Sequence, residues 1–453
     1  MNAIQTMRGA MPRLANRAFG NVGALIGSTM SIAVLRFATN LIVARFVLPE
    51  DFGVVHAVGL IAVTIAFLSE AGIGPFMTRT EGADQPRTAA VVWSVAVLRA
   101  ALIAGVLVVG AEPFALLLGN PILADPIRVT ALGIFLLEVR SMGAYLTSRA
   151  GNDRKNSAIR LAIYALHLPL LLGLAFWLQD FWALIWANVA HSGLTAAASF
   201  LLYPEARSHR FVLDRAIVAR LWRFSRMIAA SSALSLLIMQ FERFFLIRTT
   251  TLEVWGLFAM AASLVGMAED IGFRHARNIL MPIVSADLRA GRLGPTSFYR
   301  PLLYLRPGLL ALCCAGVTAG PAFFDTLFPD AYRQAGLFLS ILSARAALAT
   351  LVLPAEALLV ADDGQREKFY CDVARIVWLI GVAPLAYANF GLMGFVLAVA
   401  LREVPALLLA YRGVIRRGVF SLRRELPVMG AVPVGLAAGA LASVSASLLG
   451  LTG

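Results

Sequence analysis

Charged residues are scarce in this chain of 453 amino acids. Asp, Glu, Lys and Arg make up 14% of it, apolar residues make up 59%, and the mean hydropathy is +0.78. Soluble domains contain about 25% charged and about 45–50% apolar residues. A soluble fold of this length has too little interior for so much apolar surface, so most of it must face lipid. The composition excludes a disordered chain and a membrane anchor with a large soluble head, and it predicts a polytopic membrane protein.

Cysteine, lysine and histidine are also rare, and their rarity excludes several kinds of chemistry. The three cysteines have neither a disulfide framework nor the spacing of metal ligands. Neither of the two lysines, Lys155 and Lys368, follows a glycine, so the chain lacks a P-loop for ATP. The five histidines form no H-E-x-x-H motif, and there is no G-x-S-x-G. We therefore predict no catalytic residue, no metal site and no cofactor, and we favour transport over an enzymatic reaction.

Thirteen segments are long and apolar enough to cross a bilayer, which takes about 20 residues in a helix. They are 20–44, 53–76, 89–111, 127–148, 158–178, 182–202, 224–247, 254–272, 301–324, 334–360, 369–388, 391–411 and 428–450. The last segment is the weakest because it is rich in Gly, Ala and Ser.

The basic residues give these segments a direction. The net charge is +13, and in a membrane protein such an excess indicates orientation before it indicates nucleic acid. With the N-terminus in the cytoplasm, 26 Lys and Arg residues fall on the inner side, and only Arg45, Arg248 and Arg333 fall on outer loops. We therefore expect a cytoplasmic N-terminus. The C-terminus is outside if the thirteenth segment crosses the membrane, and inside if it does not.

A basic segment, 203–223, divides the first twelve spans six and six. Its apolar residues alternate with arginines, as in an amphipathic helix that lies on a membrane. An E-x-x-G motif follows the first span at Glu50–Gly53, and another follows the seventh at Glu253–Gly256. Repeats of equal orientation are related by an axis along the membrane normal.

The predicted fold class is an all-α polytopic membrane protein with two six-helix lobes, a pseudo-two-fold axis along the membrane normal, and an extra C-terminal helix. The predicted domains are the N-terminal lobe 1–202, the cytoplasmic amphipathic linker 203–223, the C-terminal lobe 224–411, and a basic loop with the thirteenth span, 412–453.

Charged side chains inside the spans are the candidate functional residues. Each costs about 2.5–3.5 kcal/mol at bilayer depth, so it is kept where it faces a polar cavity or a partner. A cationic cavity suits a phosphate-bearing substrate, because the planar guanidinium fork matches phosphate oxygens. The arginines predicted to line this cavity are Arg36, Arg99, Arg140, Arg345 and Arg402. The acids predicted to bind a coupling proton or Na⁺, or to form salt bridges at a gate, are Glu70, Glu138, Glu269, Asp270 and Glu356.

Structural pairing is the alternative for several of these charges. Arg402 and Glu403 are adjacent in sequence, so their side chains point to different faces and each needs a partner on another helix. Arg243, Arg306 and Arg375 lie nearer the membrane faces, where snorkelling to the surface is the simplest interpretation.

The stretch LIVARFVLPEDFGVVHAVGLIAVTIAFLSEAGIGP resembles the opening hairpin of Wzx-type flippases, the polysaccharide transporters of the multidrug/oligosaccharidyl-lipid/polysaccharide exporter superfamily. The matching residues are Ala44, Arg45, Pro49, Glu50, Phe52, Gly53, Glu70, Gly72 and Gly74. The stretch FERFFLIRTTTLEVWGLFAMAASL resembles a second motif of that family, with Glu242 where Asp is usual and Phe258 where Tyr is usual. The segments LFPDAYRQAGLFLSIL and ALLVADDGQREK resemble its ninth-to-eleventh span region.

The resemblance implies a transporter of a polyprenyl-pyrophosphate-linked glycan in the bacterial inner membrane, with membrane lipids and a polysaccharide polymerase and export machinery as partners. Three alternatives remain open from the sequence. They are a peptidoglycan-precursor flippase, a cation-coupled multidrug exporter, and an integral membrane polysaccharide polymerase or ligase. The short outer loops argue against the last, since such enzymes usually need a sizeable periplasmic segment.

Overall fold

The computed structural model describes residues 31–68, 72–205, 209–303 and 305–449, except for the side chains of Leu68, 227–235 and 237–239. None of the residues in these ranges lies in a β-strand. Nine helical stretches within them are long and apolar enough to cross a membrane. The prediction of an all-α polytopic membrane protein is therefore confirmed.

The described residues form two compact units. The first contains 31–47 and 54–236, and the second contains 48–53 and 237–449. The helices up to the end of the first unit are α1 (Ser31–Val43), α2 (Pro49–Leu68), α3 (Ile73–Arg79), α4 (Pro86–Val109), α5 (Ala111–Leu117), α6 (Ala124–Val139), α7 (Gly143–Arg149), α8 (Asp153–Leu178), α9 (Phe181–Leu202) and α10 (Arg215–Thr249). Those that follow are α11 (Leu252–His275), α12 (Met281–Arg289), α13 (Pro295–Tyr299), α14 (Leu305–Leu327), α15 (Ala335–Ala361), α16 (Gln365–Val377), α17 (Ala383–Leu401), α18 (Glu403–Arg416) and α19 (Leu422–Leu448).

The predicted fourth span, 127–148, is not one helix. α6 ends at Val139 and α7 begins at Gly143, and Arg140 between them has φ −47° and ψ 152°. Backbone that leaves the helical conformation at membrane depth must find other hydrogen-bond partners, because lipid offers none. The break therefore marks a position where other helices supply polar side chains.

α10 is longer than the predicted span. The sequence predicts a separate amphipathic linker at 203–223 before a span at 224–247. The structure has one continuous helix from Arg215 to Thr249, 35 residues long. The segment 215–223 contains neither Gly nor Pro, so nothing in its backbone chemistry ends the helix before the span begins.

The predicted eleventh and twelfth spans form a helical hairpin. The chain reverses at Gly391, which has φ +62°, a conformation that glycine adopts without strain. The arms run antiparallel: the Trp378 indole N–H donates to the Ala398 carbonyl at 2.8 Å, and the Cys371 thiol donates to the Ala406 carbonyl at 3.8 Å. The 52-residue helical stretch Gln365–Arg416 thus contains two membrane crossings.

The thirteenth predicted span is present as α19, which packs along α14 in the second unit. The contact is close because α19 carries two glycines four residues apart. A Cβ on Gly435 would lie 2.3 Å from the Ala311 carbonyl oxygen, and a Cβ on Gly439 would lie 2.3 Å from that of Ala315. Small residues at this spacing let membrane helices approach each other, and dispersion contacts then hold them together.

A buried polar cluster fixes the start of α19. The Glu425 carboxylate accepts hydrogen bonds from the Tyr299 hydroxyl at 3.0 Å and the Tyr411 hydroxyl at 2.8 Å, and it pairs with Arg306 at 3.2 Å. Arg306 is only 3% exposed, so the prediction that it snorkels is wrong. Its acidic partner lies 119 residues away, a relation that sequence neighbours could not reveal.

The two E-x-x-G motifs lie against each other in the second unit, to which the first turn of α2 belongs. A Cβ on Gly256 would lie 1.8 Å from the Pro49 carbonyl oxygen, and one on Gly53 would lie 2.0 Å from that of Leu252. Both motifs therefore need glycine for a close backbone approach. The repeat as a whole stays a prediction.

We expect Gly439→Ala to destabilise the protein by about 1–3 kcal/mol, because the added methyl group meets backbone atoms of α14. The matched control is Gly430→Ala on the same helix, where a Cβ would have no heavy atom within 4 Å. Thermal unfolding of the detergent-purified chain measures both variants. Equal melting temperatures for the two would contradict the close packing of α19 on α14.

Candidate functional site

A cavity of about 230 Å³ lies inside the first unit, next to the break between α6 and α7. Its lining combines apolar side chains with two arginines, one glutamate and one tyrosine. The lining residues are Val63, Ala66, Phe67, Ile73, Gly74, Ala96, Arg99, Glu138, Arg140, Met142 and Tyr145. An apolar cavity with a few convergent polar groups is the usual form of a binding site for a small molecule or headgroup.

The three predicted site residues in this cavity differ in their partners. Arg99 of α4 forms an ion pair with Glu138 of α6. Arg140 donates to the Tyr145 hydroxyl at 3.0 Å and lies 5.7 Å from the centre of that ring. No carboxylate among the described residues forms an ion pair with Arg140. The cavity therefore presents one guanidinium that is held by an acid and one that has a neutral partner.

The helix break that carries Arg140 is held by side chains from distant parts of the first unit. The Trp93 indole N–H donates to the Val139 carbonyl at 2.9 Å. The Ser199 hydroxyl accepts from the Ser141 N–H, and the Ser141 hydroxyl donates to the Ser199 carbonyl, each at 2.8 Å. These bonds satisfy backbone groups that an unbroken helix would pair internally.

His209, in the segment between α9 and α10, completes this support. Its Nε2 accepts from the Met142 N–H at 3.0 Å, and its Nδ1 donates to the Glu205 carbonyl at 3.0 Å, which assigns the neutral Nδ1–H tautomer. Burial lowers the pKa of His209 and so favours this neutral form. The sequence analysis treated His209 as one of five scattered histidines, and no local motif distinguishes it.

The second unit holds Arg345 in the middle of α15, and its side chain is only 5% exposed. Its Nε donates to Glu269 Oε1 at 3.0 Å, and its Nη2 donates to Glu269 Oε2 at 3.3 Å. Its Nη1 donates to Glu242 Oε1 at 3.3 Å. Two acids from α11 and α10 thus occupy three nitrogens of one guanidinium.

The ion pairs continue from Glu242 through the second unit. Glu242 also pairs with Arg402, which contacts Glu403 at 3.4 Å. Glu403 pairs with Arg375 at 2.7 Å. The expectation that Arg402 and Glu403 each need a partner on another helix is therefore met, by α10 and α16 respectively.

Arg375 joins the rest of this network, which we call the second-unit network. It donates to Glu356 at 2.7 Å and to Asp372 at 3.0 Å. Lys368 contacts the same two acids at 3.5 and 2.5 Å. Arg375 is 7% exposed, so the prediction that it snorkels is wrong. The members are Glu242, Glu269, Arg345, Glu356, Lys368, Asp372, Arg375, Arg402 and Glu403.

The other predicted site residues lie elsewhere. Arg36 is exposed on α1, beside Tyr164 and His191 of the first unit. Asp270 is exposed and pairs with Arg274 one turn further along α11, at 3.0 Å. Glu70 lies outside the described residues. The structure thus groups Arg99, Arg140 and Glu138 in the first unit, and it groups Arg345, Arg402, Glu269 and Glu356 in the second.

A family model described as polysaccharide biosynthesis protein matches residues 42–289. A curated relative, the succinoglycan biosynthesis transport protein ExoT of Rhizobium meliloti (strain 1021), is 26% identical over 268 residues. That match takes in 58% of this chain and 52% of the relative, so the chain spans about half the length of the relative.

Two solved structures share the fold. The lipid II flippase MurJ in an inward closed conformation is similar with a TM-score of 0.69 and 10% identity, over 94% of this chain and 98% of that chain. An inward-facing multidrug resistance MATE family transporter of the MOP superfamily is similar with a TM-score of 0.63 and 14% identity, over 90% and 98% of the chains. At these identities the likeness establishes the fold alone.

His209 makes the support of the helix break pH-dependent. Because its pKa is lowered in the folded protein, its contribution to stability is complete above the unfolded pKa of about 6.5 and is lost as the pH falls below that value. His209→Phe keeps a ring against Trp93 and Phe200 but orphans the Met142 N–H, and we expect a loss of about 1–3 kcal/mol at pH 7.5.

The measurement is the melting temperature of wild type and His209→Phe at pH 7.5 and pH 5.5. Wild type should lose more stability than the variant between these two values, since the other histidines are common to both. The same pH response in both proteins would show that the imidazole is not held neutral by its site.

We expect Arg375→Leu to destabilise the protein by about 3–5 kcal/mol, because the buried acids Glu356 and Glu403 each lose a partner at 2.7 Å and keep only Lys368 at 3.5 Å and Arg402 at 3.4 Å. The control is Arg274→Leu, which breaks an exposed pair and should cost less than about 1 kcal/mol. Adding Glu403→Gln to Arg375→Leu should restore part of the lost stability. If Arg375→Leu and Arg274→Leu have equal effects on thermal unfolding, the ion pairs of the second-unit network contribute no more to stability than an exposed ion pair does.

Proposed function

The chain belongs to the polysaccharide biosynthesis protein family, and from that premise we propose that it is a flippase for lipid-linked glycans. Its cargo is a polyprenyl-pyrophosphate-linked oligosaccharide, moved from the inner to the outer leaflet of the bacterial inner membrane. The product serves the synthesis of an exopolysaccharide, an O-antigen or a capsule. The N-terminus is cytoplasmic in this proposal, as the excess of arginine on the inner loops favours.

The observation that carries the proposal is the presence of both Arg140 and Arg99 in the lining of the cavity in the first unit. Among the described residues Arg140 donates to the neutral Tyr145 hydroxyl and forms no ion pair, so its guanidinium can take an anion without first losing an acid. A diphosphate offers planar pairs of oxygens that match a guanidinium fork. The cavity of about 230 Å³ suits a phosphate-containing headgroup better than a whole lipid-linked glycan, so sugars and lipid tail would extend beyond it.

The named relatives support the class of cargo. ExoT is named as a transport protein of succinoglycan biosynthesis, and the solved fold neighbour MurJ is named as a lipid II flippase. One name concerns polysaccharide synthesis and the other the flipping of lipid II. A carrier for a lipid-linked polysaccharide unit agrees with both names and with the phosphate chemistry of the cavity.

The remaining predicted arginines enter the proposal as further phosphate-binding groups, each within its own unit. Arg345 and Arg402 would contribute once the acids that now hold them give way, whereas Arg36 is exposed and needs no such exchange. The transport cycle is alternating access. Transport is driven outward by a proton or Na⁺ gradient, or by a polymerase that removes the product on the outer side. No cofactor takes part in this cycle.

We expect Arg140→Ala to lower the affinity for a polyprenyl-diphosphate-linked glucose by about tenfold or more, because a charge-assisted contact with the diphosphate is lost. Binding is measured on the detergent-purified chain, and translocation is measured by accessibility of the labelled glycan in proteoliposomes. Arg128→Ala is the control, since Arg128 is an exposed arginine of the same unit that pairs with Glu112 and Asp125. Unchanged binding and translocation in Arg140→Ala, with folding intact, would remove the cavity from the mechanism.

A further inference from the structure

Each unit contains an arginine that is predicted to bind phosphate and forms an ion pair with a glutamate. In each of these two pairs the glutamate side chain is more exposed than the arginine side chain. In the first unit the Arg99 side chain is 14% exposed and that of Glu138 is 22% exposed. In the second unit the Arg345 side chain is 5% exposed and that of Glu269 is 26% exposed. In both pairs the acid is thus the more accessible partner.

The contact between Glu269 and Arg345 has the geometry that a phosphate would use. Both carboxylate oxygens accept from two nitrogens of one guanidinium, Nε and Nη2. A phosphate group binds such a fork with two parallel N–H···O bonds in the same way. Glu269 therefore occupies the face of Arg345 that an anionic headgroup would take.

The second acid on Arg345 has a different character. Glu242 is 5% exposed, contacts another nitrogen of the guanidinium, and also holds Arg402. If Glu269 leaves, Arg345 keeps Glu242 and is not left as an unpaired buried cation. Withdrawal of Glu269 is therefore less costly than withdrawal of Glu242, since among the described residues Glu269 pairs with Arg345 alone whereas Glu242 pairs with both Arg345 and Arg402.

In the first unit the corresponding pair, Arg99 with Glu138 as its single acidic partner in the described part of the chain, lies at the wall of the cavity. Glu138 and Arg99 both line the cavity, and Arg140 lies on it two residues beyond Glu138. A diphosphate that enters to bind Arg140 arrives next to the Arg99–Glu138 pair. Like charges repel the carboxylate from the incoming phosphate, and the guanidinium gains a ligand of higher charge.

We propose that Glu138 and Glu269 are exchangeable internal ligands of Arg99 and Arg345. In the empty protein each carboxylate binds the phosphate-binding face of its arginine. The diphosphate displaces the carboxylate when it binds, and the carboxylate displaces the diphosphate again when the headgroup is released. The inference rests on the proposed function and goes beyond it by assigning release to two carboxylates. It also explains how the empty protein keeps deep arginines, because an anion faces them in both states.

The test compares Glu138→Gln and Glu269→Gln with wild type, using polyprenyl-diphosphate-linked glucose as the probe. The amide is isosteric but neutral, so it competes less for the guanidinium. We expect about tenfold tighter binding of the probe in each variant, the effect of one charge-assisted hydrogen bond. We expect slower translocation at saturating probe, because the competitor that drives release is weaker. A purely structural role would not tighten binding and slow turnover together.

The control is Glu112→Gln, which removes a carboxylate from an exposed pair in the first unit and should change neither quantity. A second pair of variants, Glu138→Asp and Glu269→Asp, keeps the charge but shortens the reach by one methylene group, and should also bind the probe more tightly. Failure of all four variants to fold would show that the two carboxylates are fixed structural charges, which overturns the exchange.

The outcomes separate this inference from the proposed function. If wild type does not bind the probe at any concentration, the proposed function fails. If wild type binds and translocates the probe, but folded Gln and Asp variants bind it no more tightly, the flippase stands and the exchange is overturned.

Discussion

A guanidinium cannot remain alone in an apolar helical bundle, and much of this structure follows from that constraint. Moving such an ion from water into a medium of low dielectric constant costs several kcal/mol even after relaxation, and a nearby carboxylate returns most of it. Within the described residues, Arg306, Arg345, Arg375 and Arg402 each have a carboxylate from another helix. These pairs determine which helices must be neighbours: α14 with α19, α15 with α10 and α11, and α16 with α18.

The two units compensate their buried charges in different ways. The second unit spreads its charge over a network in which nearly every acid and base has two partners, so removing one group disturbs several others. The first unit uses a cavity, one ion pair and a neutral tyrosine. A network of that kind rigidifies the helices that carry it, whereas a cavity leaves room for a ligand. For this reason the experiments on substrate binding centre on Arg140 and those on stability centre on Arg375.

Hydropathy was sufficient to predict the class of the fold and most of its long helices, because lipid requires about 20 apolar residues in a row regardless of tertiary contacts. It could not predict the break after Val139, since no Gly or Pro stands between Val139 and Met142 to announce it. The break depends on Trp93, Ser199 and His209, which lie 46, 58 and 67 residues from their partners. Deep arginines could be found by counting residues along each span, but their partners could not, as the 160-residue separation of Glu242 and Arg402 illustrates.

The two acids that contact Arg345 show how the protein can be both stable and responsive to a bound anion. A carboxylate that is buried with its arginine holds helices together but cannot leave, because its own desolvation would be uncompensated. A carboxylate at the more exposed end of the same network, paired with a single arginine among the described residues, can leave without breaking the rest of the network. Glu242 and Glu269 contact the same guanidinium and differ in this one respect. A bound anion would therefore replace the exposed acid first, while the buried acid keeps α10 joined to α15 throughout the exchange.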